Sequence, residues 1–597
     1  MGGICRDERV GIVNIKGICM SQPKIAIVGG GLAGLMAAIK VCEEGAPVEL
    51  FSIVPVRRSH SVCAQGGINA SVNTKGEGDS PQVHFYETVK GGDFLANQEL
   101  PKQMCDAAPH IVHLFDRMGV RFNRTPEGNL DFRRFGGTLF HRTAFAGSTT
   151  GQQLLYALDE QVRKFEAQGL VKKYEGWIFL SAIIDDGGIC RGLTAMNLKT
   201  MEVRAFREDA VILATGGMGL IYGRSTNSMI CTGDAVASVY QQGAVYANGE
   251  FVQIHPTSIP GEDKYRLISE AARGEGGRIW VPKDGKPWYF LEEWYPKYGN
   301  LVPRDIASRA LWKVVHELKL GVDGEEKVYL DLTHIDAHEL DRKLEGILEI
   351  YEKFAGDNPR KVPMKVYPSV HYTMGGLWID DTHMTNIPGL MAAGECDYQY
   401  HGANRLGANS LLSSVYGGMV AGPSALKYAR GLKKGADSVS SAVFEREIQR
   451  ETEWNDKIVS LGGDENPHNV HDELGAVMTK NVTIVRHNKD LEATDRELLK
   501  LKEKWHKIGI PDGSPWANGE LVFVRQLWHM LELARVITLG ALARNESRGS
   551  HYKPEFPNRD DANWLKTTKA AWTKDGPKLD YEPVSLKYLK PELRNYA

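Results

Sequence analysis

The stretch KIAIVGGGLAGLMAAIKVCEEGAPVELFS, residues 24–52, decides the fold. Ile25 to Val28 is a short apolar run of the kind that forms a buried strand. Gly29, Gly31 and Gly34 follow as G-x-G-x-x-G, Leu35 to Glu44 has helical spacing, and VELF returns as a strand. Strand, glycine turn, helix and strand make the opening βαβ unit of a Rossmann-like fold. The glycines permit the turn and a close backbone approach, and the helix N-terminus turns its unpaired N–H groups toward a pyrophosphate. The motif is weak alone, but in this context it predicts dinucleotide binding. Ser52 ends the second strand where an acid normally binds a ribose hydroxyl, which weakens an NAD reading most.

Farther along, WIFLSAIID, ICRGLTAMNL and MEVRAFR predict a β-rich section that ends in DAVILATGG at residues 209–217. An apolar strand running into Ala214-Thr215-Gly216-Gly217 reads as the return of the chain to the dinucleotide in a two-part FAD fold. GLMAAGECD, residues 389–397, repeats the idea, and Glu395 just past its strand is a candidate ribose carboxylate or an ordinary strand-end acid. Between these halves the chain is richer in Trp, Pro and charge, which predicts an inserted domain. FVRQLWHMLELARVITLGALA has helical spacing. From about residue 545 the chain is polar and proline-dotted, as expected of an extended piece lying on the surface. The fold class expected is α/β: a Rossmann-like two-part FAD-binding domain (23–260 and 366–440), an inserted α+β capping domain (261–365), a helical domain (441–543) and an extended C-terminal region (544–597). Residues 1–22 read as an N-terminal extension: Met20 directly precedes SQPKIAIVGGG, no apolar core marks a secretory signal, and Arg6 stands where a myristoylation motif needs Ser or Thr.

Composition narrows the function. With 597 residues the chain is long enough for several domains, and a net charge of −3 gives no basic field for nucleic acid or an anionic membrane. The 8 cysteines include no CxxC pair, so the chain shows neither zinc nor iron–sulfur ligands, and no metal site is expected. No apolar run reaches the roughly 20 residues of a membrane span.

Five stretches set His and Arg beside glycine: IHPTSIP (254–260), SEAARGEGGR (269–278), PRDIASR (303–309), HYTMGG (371–376) and HGANRLGANSLL (401–412). Each has a structural reading as ion pairs or satisfied polar groups. Together, around an FAD fold, they predict a pocket for a small anion with more than one carboxylate, since arginine pairs with carboxylates bidentately. A further stretch, RRSHSVCAQGG (57–67), places His60 in a polar loop, where it reads either as surface or as a cofactor contact.

These motifs together resemble the flavoprotein subunits of succinate dehydrogenases and fumarate reductases, over about residues 23–590, and are most similar to the bacterial, menaquinone-linked enzymes. The resemblance implies that His60 is bonded covalently to FAD, with Ser59, Ser61, Gln65, Gly66 and Gly67 around it, and it accounts for Ser52. It assigns FAD contacts to Asp234, Glu395, Ser410 and Leu411, beside Gly29, Gly31 and Gly34. It implies a dicarboxylate clamp of His255, Ser269 (Thr in many relatives), His371 and Arg405. Hydride would pass from succinate to FAD while Arg304 takes the proton, and Glu270 and Arg273 would relay it to solvent. Arginine, with a pKa above about 12, acts as a base only where its surroundings let it shed a proton transiently. Electrons must then leave singly, which implies an iron–sulfur subunit, a membrane anchor cytochrome subunit with quinone beyond it, and a peripheral place on the cytoplasmic face of the membrane. The rivals are an L-aspartate oxidase, which holds FAD non-covalently and needs no partner, and a flavin-binding scaffold without turnover.

Overall fold

Ile25 to Val28 are buried along their whole length, as a continuous apolar strand is when helices cover both faces of its sheet. The computed structural model describes residues 22–262 and 264–596, so all but the last residue of the extension expected over residues 1–22 lies outside the described residues. In chain order, the elements that build the site are β1 (Ile25–Val28), α1 (Leu32–Glu43), β2 (Val48–Ser52), β3 (Val171–Glu175), β4 (Ala210–Leu213), β5 (Val252–Ile259), α2 (Arg304–Trp312), β6 (Met364–Thr373), β7 (Leu390–Ala392), α3 (Asn409–Arg430) and α4 (Gly519–Ala543).

One sheet runs β7-β4-β1-β2-β3, and every neighbouring pair in it is parallel. The two returning strands, β4 and β7, thus lie beside β1, and the crevice for a ligand opens at the carboxyl ends. α1 starts at Leu32, three residues before the start that the spacing suggests, because Gly34 lies within its first turn. A Cβ on Gly34 would stand 1.9 Å from the Gly29 carbonyl oxygen, and one on Gly29, at φ +118°, would stand 2.1 Å from that of Ala214. Glycine at both places lets the turn close against the helix and the end of β4.

A second sheet runs Arg266–Leu267, β5, β6, Val328–Asp331, Arg278–Lys283, Lys286–Trp288. It encloses a separate apolar core in which Ile279 and Leu330 meet Leu344 and Ile347 of the helix Ala337–Ala355. The boundaries expected at 260 and 365 fall inside this sheet, since β5 and β6 are its adjoining central strands. Ladder hydrogen bonds therefore tie the capping unit to the segments leading into the FAD-binding unit. The β5–β6 ladder slips at two places. At the first, Gln253 pairs with Tyr372 and Ile254 with Val370, which leaves His371 as the extra residue of a bulge. Bulges of this kind re-aim a side chain beside a site.

Helices Ser441–Val459, Pro467–Asn481 and Asn488–Trp505 pack with α4, which is buried along most of its length. The C-terminal region is extended, but its first part is not a surface piece. Arg544, Arg548 and His551 are buried, and Lys566–Ala571 joins Tyr246–Ala247 in an antiparallel ladder. Polarity misleads here because the buried charges are paired: Arg544 Nε donates to Glu250 at 2.7 Å and Arg548 Nε to Glu546 at 2.8 Å. Among the described residues no helix is long and apolar enough to cross a membrane, and no cluster of His, Cys, Asp and Glu is arranged to hold a metal ion.

Candidate active site

A cavity of about 390 Å³ lies where the carboxyl ends of β1, β2 and β4 face the capping sheet. Gly29 and Gly31 line one end of it, while Gly34 stays behind the wall as a packing contact. The amide of Leu32, at the start of α1, donates to Ser61 Oγ at 3.4 Å. Ser52 and Ser59 line the same end.

His60 sits in a short 3-10 turn, His60–Cys63, and lines the cavity. The Ser228 amide donates to its Nδ1 at 3.3 Å, and its Nε2 lies 3.3 Å from Asn227 Nδ2. Burial, helped by the charge of Lys264, lowers its pKa to about 4. The ring is therefore a neutral imidazole near pH 7, the form able to act as a nucleophile. The following loop is pinned by Arg133, whose Nε donates to Gly66 O at 3.0 Å and whose Nη2 donates to Gln65 O at 3.1 Å and Gly147 O at 3.2 Å. Gln65, Gly66 and Gly67 all line the cavity.

Asp234 opens the helix Asp234–Gln241 and pairs with His529 of α4. Glu395 accepts from Thr373 N at 3.0 Å, and burial raises its carboxyl to about 7. Ser410 and Leu411 lie in the first turn of α3, after Ala408 at φ +62°. The residues fit an FAD: a glycine turn and two helix N-termini for phosphate, a carboxyl group for a ribose, and a buried Thr215 Oγ1 without a partner.

The anion-binding end is built by the capping sheet and the loop before α3. His255 and His371 stand with ring centroids 5.0 Å apart. Burial, and then the charge of Arg304, hold both well below the usual histidine range, so both are neutral. His255 Nδ1 is engaged by Thr257, and its buried Nε2 has no partner. His371 Nδ1 lies 2.7 Å from Thr226 Oγ1. Arg405 is buried with its guanidinium 4.4 Å from the Tyr372 ring, and its Nε and Nη2 have no partner. Burial and Arg304 bring its pKa down to about 9, so it is a cation at neutral pH. Ser269 is buried on the same wall.

Arg304, the first residue of α2, donates from Nε and Nη2 to Glu270 Oε2 at 3.0 and 2.8 Å, and from Nη1 to Gln253 Oε1 at 2.9 Å. Arg273 Nη2 donates to the other Glu270 oxygen at 2.6 Å. Burial works against the Glu270 charge, but Arg304 and Arg273 outweigh it and hold the carboxyl below its usual range. Arg273 is fully buried behind this pair, and its Nη1 donates to the Asn300 carbonyl at 2.6 Å. Two guanidinium groups thus share one carboxylate, and the unpaired donors of Arg405 are an unsatisfied demand for an anion.

Sequence reading missed Gln253, Asn227 and Arg133. Gln253 had a signal: it stands two residues before His255 on β5 and so shares its face. Arg133 and Asn227 had none, because their partners are far along the chain.

Residues 24–411 match the FAD binding domain family, and residues 471–596 match the family described as fumarate reductase flavoprotein C-term. The chain is 64% identical over 581 residues to the succinate dehydrogenase flavoprotein subunit of Bacillus subtilis (strain 168), covering 97% of this chain and 99% of that one. The chain belongs to the succinate dehydrogenase and fumarate reductase flavoprotein family. It is 36% identical to the fumarate reductase flavoprotein subunit of Escherichia coli (strain K12), with 96% of each chain covered. An E. coli quinol fumarate reductase structure superposes with a TM-score of 0.88 at 34% identity, covering 96% of this chain and 98% of that chain. This flavoprotein is thus an FAD-binding oxidoreductase chain, and the two-part fold and the helical C-terminal unit are those of its family.

Proposed function

We propose that this flavoprotein oxidises succinate to fumarate, and runs the reverse reaction, with FAD bonded covalently to His60. The observation that carries the reading is the convergence of Arg304, Arg405, His255 and His371 on one cavity continuous with the glycine turn. Bound FAD supplies a two-electron acceptor for hydride. The chain's own residues do the rest. Arg405, His255, His371 and Ser269 bind and orient the two carboxylates, and clamping of this kind removes much of the entropic barrier. Arg304 takes the proton from the substrate carbon as it sheds one to Glu270, and Arg273 holds the other Glu270 oxygen. The cationic surroundings stabilise negative charge that develops on the substrate.

His60 is neutral at working pH and so offers a ring lone pair for attachment. Gly29, Gly31, Ser52, Ser59, Ser61, Gln65, Gly66, Gly67, Asp234, Glu395, Ser410 and Leu411 would hold the cofactor. An iron–sulfur subunit would accept the electrons and pass them to a membrane anchor with quinone, which places the chain peripherally on the cytoplasmic face of the membrane.

The test is to denature the purified protein in acid and look for flavin in the washed pellet, with succinate and L-aspartate assayed on the same sample. Pellet flavin that disappears in His60→Ser, with succinate turnover in the wild type, is expected. Turnover of L-aspartate instead, with all flavin in the supernatant, would favour the oxidase reading.

A further inference from the structure

We propose that Gln253 is a positioning residue whose side-chain amide is the strut between the proton-transferring Arg304 and the clamp residue Arg405. The inference deepens the succinate reading and rests on it for its assay.

Gln253 is 0% exposed. Its Oε1 accepts from Arg304 Nη1 at 2.9 Å, while its Nε2 donates to the Arg405 carbonyl at 2.7 Å and to Asn404 Oδ1 at 2.9 Å. Asn404 Nδ2 donates in turn to Asp305 Oδ1 at 3.0 Å, on the residue next to Arg304. A ring of contacts therefore joins Arg304, Gln253, Asn404 and Asp305. Glu270 holds one edge of the Arg304 guanidinium and Gln253 the other, so together they fix its rotation as well as its place.

A primary amide suits this place because it presents an acceptor and a donor from one planar end without a charge. A carboxylate there would set a second anion against Arg304 and would face two acceptors, the Arg405 carbonyl and Asn404 Oδ1. A protonated glutamic acid would not, because its C=O can face Arg304 and its O–H the Arg405 carbonyl. The other charged or titratable groups around the strut are Glu270 and Asp305, His255 on its own strand, and His371 and Tyr372 on β6. All of these are present in wild type and variant alike, so the ratio of their rates at each pH isolates residue 253.

The experiment uses the full chain loaded with FAD, an artificial electron acceptor, and three readouts: kcat and KM for succinate from pH 6 to 8, malonate affinity, and flavin content. Gln253→Met is expected to lower kcat by about 10- to 100-fold, since ~1 Å of misplacement costs on the order of 10² in rate. Malonate affinity should change far less, within about threefold, because the Arg405 side chain keeps its stacking on Tyr372. Gln253→Glu should be poor at pH 8, and its rate relative to wild type should climb as pH falls to 6. A Gln253→Met kcat close to wild type would overturn the strut. So would a pH-independent Gln253→Glu ratio, or losses in which kcat and malonate affinity fall together. If Gln253→Met does not fold, the Gln253→Glu profile decides alone. A wild type that binds FAD and malonate but does not oxidise succinate would overturn the functional reading and the strut with it, whereas variant results against an active wild type bear on Gln253 alone.

Discussion

At the residue scale, Arg304 and Arg405 carry the same charge and differ in their partners. Each guanidinium nitrogen of Arg304 is engaged by Glu270 or Gln253, while Arg405 keeps two buried N–H-bearing nitrogens unpaired. In the proposed mechanism the first exchanges a proton and the second receives an anion. Arg304→Gln should therefore keep flavin and malonate binding and lose turnover by roughly 10²–10⁴-fold or more, the usual worth of a positioned proton-transfer group. Arg405→Ala should weaken malonate by about 3 kcal/mol, roughly 100-fold. Titration of malonate into each variant, followed by flavin absorbance, separates the two roles; equal effects on binding would merge them. Because the Arg405 pKa of about 9 lies above the working range, its charge is present below that pH and lost as pH rises through it. Wild-type malonate affinity should accordingly hold steady from pH 6 to 8 and fall at higher pH. The residue types of this site were legible in the sequence, since histidine and arginine beside glycine mark a polyanion pocket. Which nitrogen of which arginine stays free was not, because that depends on neighbours from other parts of the chain.

At the scale of elements, the site depends on two irregular features. The bulge on β6 turns His371 out of the ladder toward His255. The loop after His60 has little apolar content of its own and is held by Arg133, whose guanidinium also lies 4.1 Å from the Phe145 ring. Removing that guanidinium leaves the partly buried carbonyls of Gln65, Gly66 and Gly147 without that donor, at up to about 1–3 kcal/mol for each one that water does not reach. Arg133→Ala is expected to lower the melting temperature and to reduce the fraction of flavin found in the acid pellet. Calorimetry and pellet absorbance on one preparation check this, and an unchanged pellet fraction would show that the loop keeps its shape unaided. Regular elements such as β1, α1 and β4 were readable because apolar periodicity is local. Bulges and pinned loops were not, because they are set by pairing register and by partners distant in sequence.

At the scale of the whole molecule, the C-terminal segment is a tie. Arg594 donates to Asp305 in the capping unit at 2.8 and 3.1 Å and also lies 3.6 Å from Asp93 of the FAD-binding unit. Asp305 neighbours Arg304, so the end of the chain braces the helix that presents Arg304. Without Arg594, Asp305 keeps Arg309 at 3.3 Å and Asp93 keeps Arg559 at 2.8 Å, so the loss is that of charge-assisted hydrogen bonds, about 1.5–3 kcal/mol, rather than of a stranded charge. Arg594→Met should therefore depress the melting temperature by several degrees, and malonate should restore part of the loss by binding the folded form. Thermal denaturation with and without malonate tests this, and a wild-type melting curve would remove the brace.

By itself the sequence determined the dinucleotide turn, the strands beside it, the helical unit and the roster of histidines and arginines, because each is written in local spacing or in a short motif. Only the tertiary structure decided that the capping sheet shares β5 and β6 with the flanking segments, that a polar C-terminal segment lies buried through paired charges, and that Gln253 stands between two arginines about 50 and 150 residues away along the chain. The physical reason is the same in each case. Hydrogen bonds and ion pairs between distant segments depend on how the sheets pack, and no local pattern of apolar and polar residues encodes that packing.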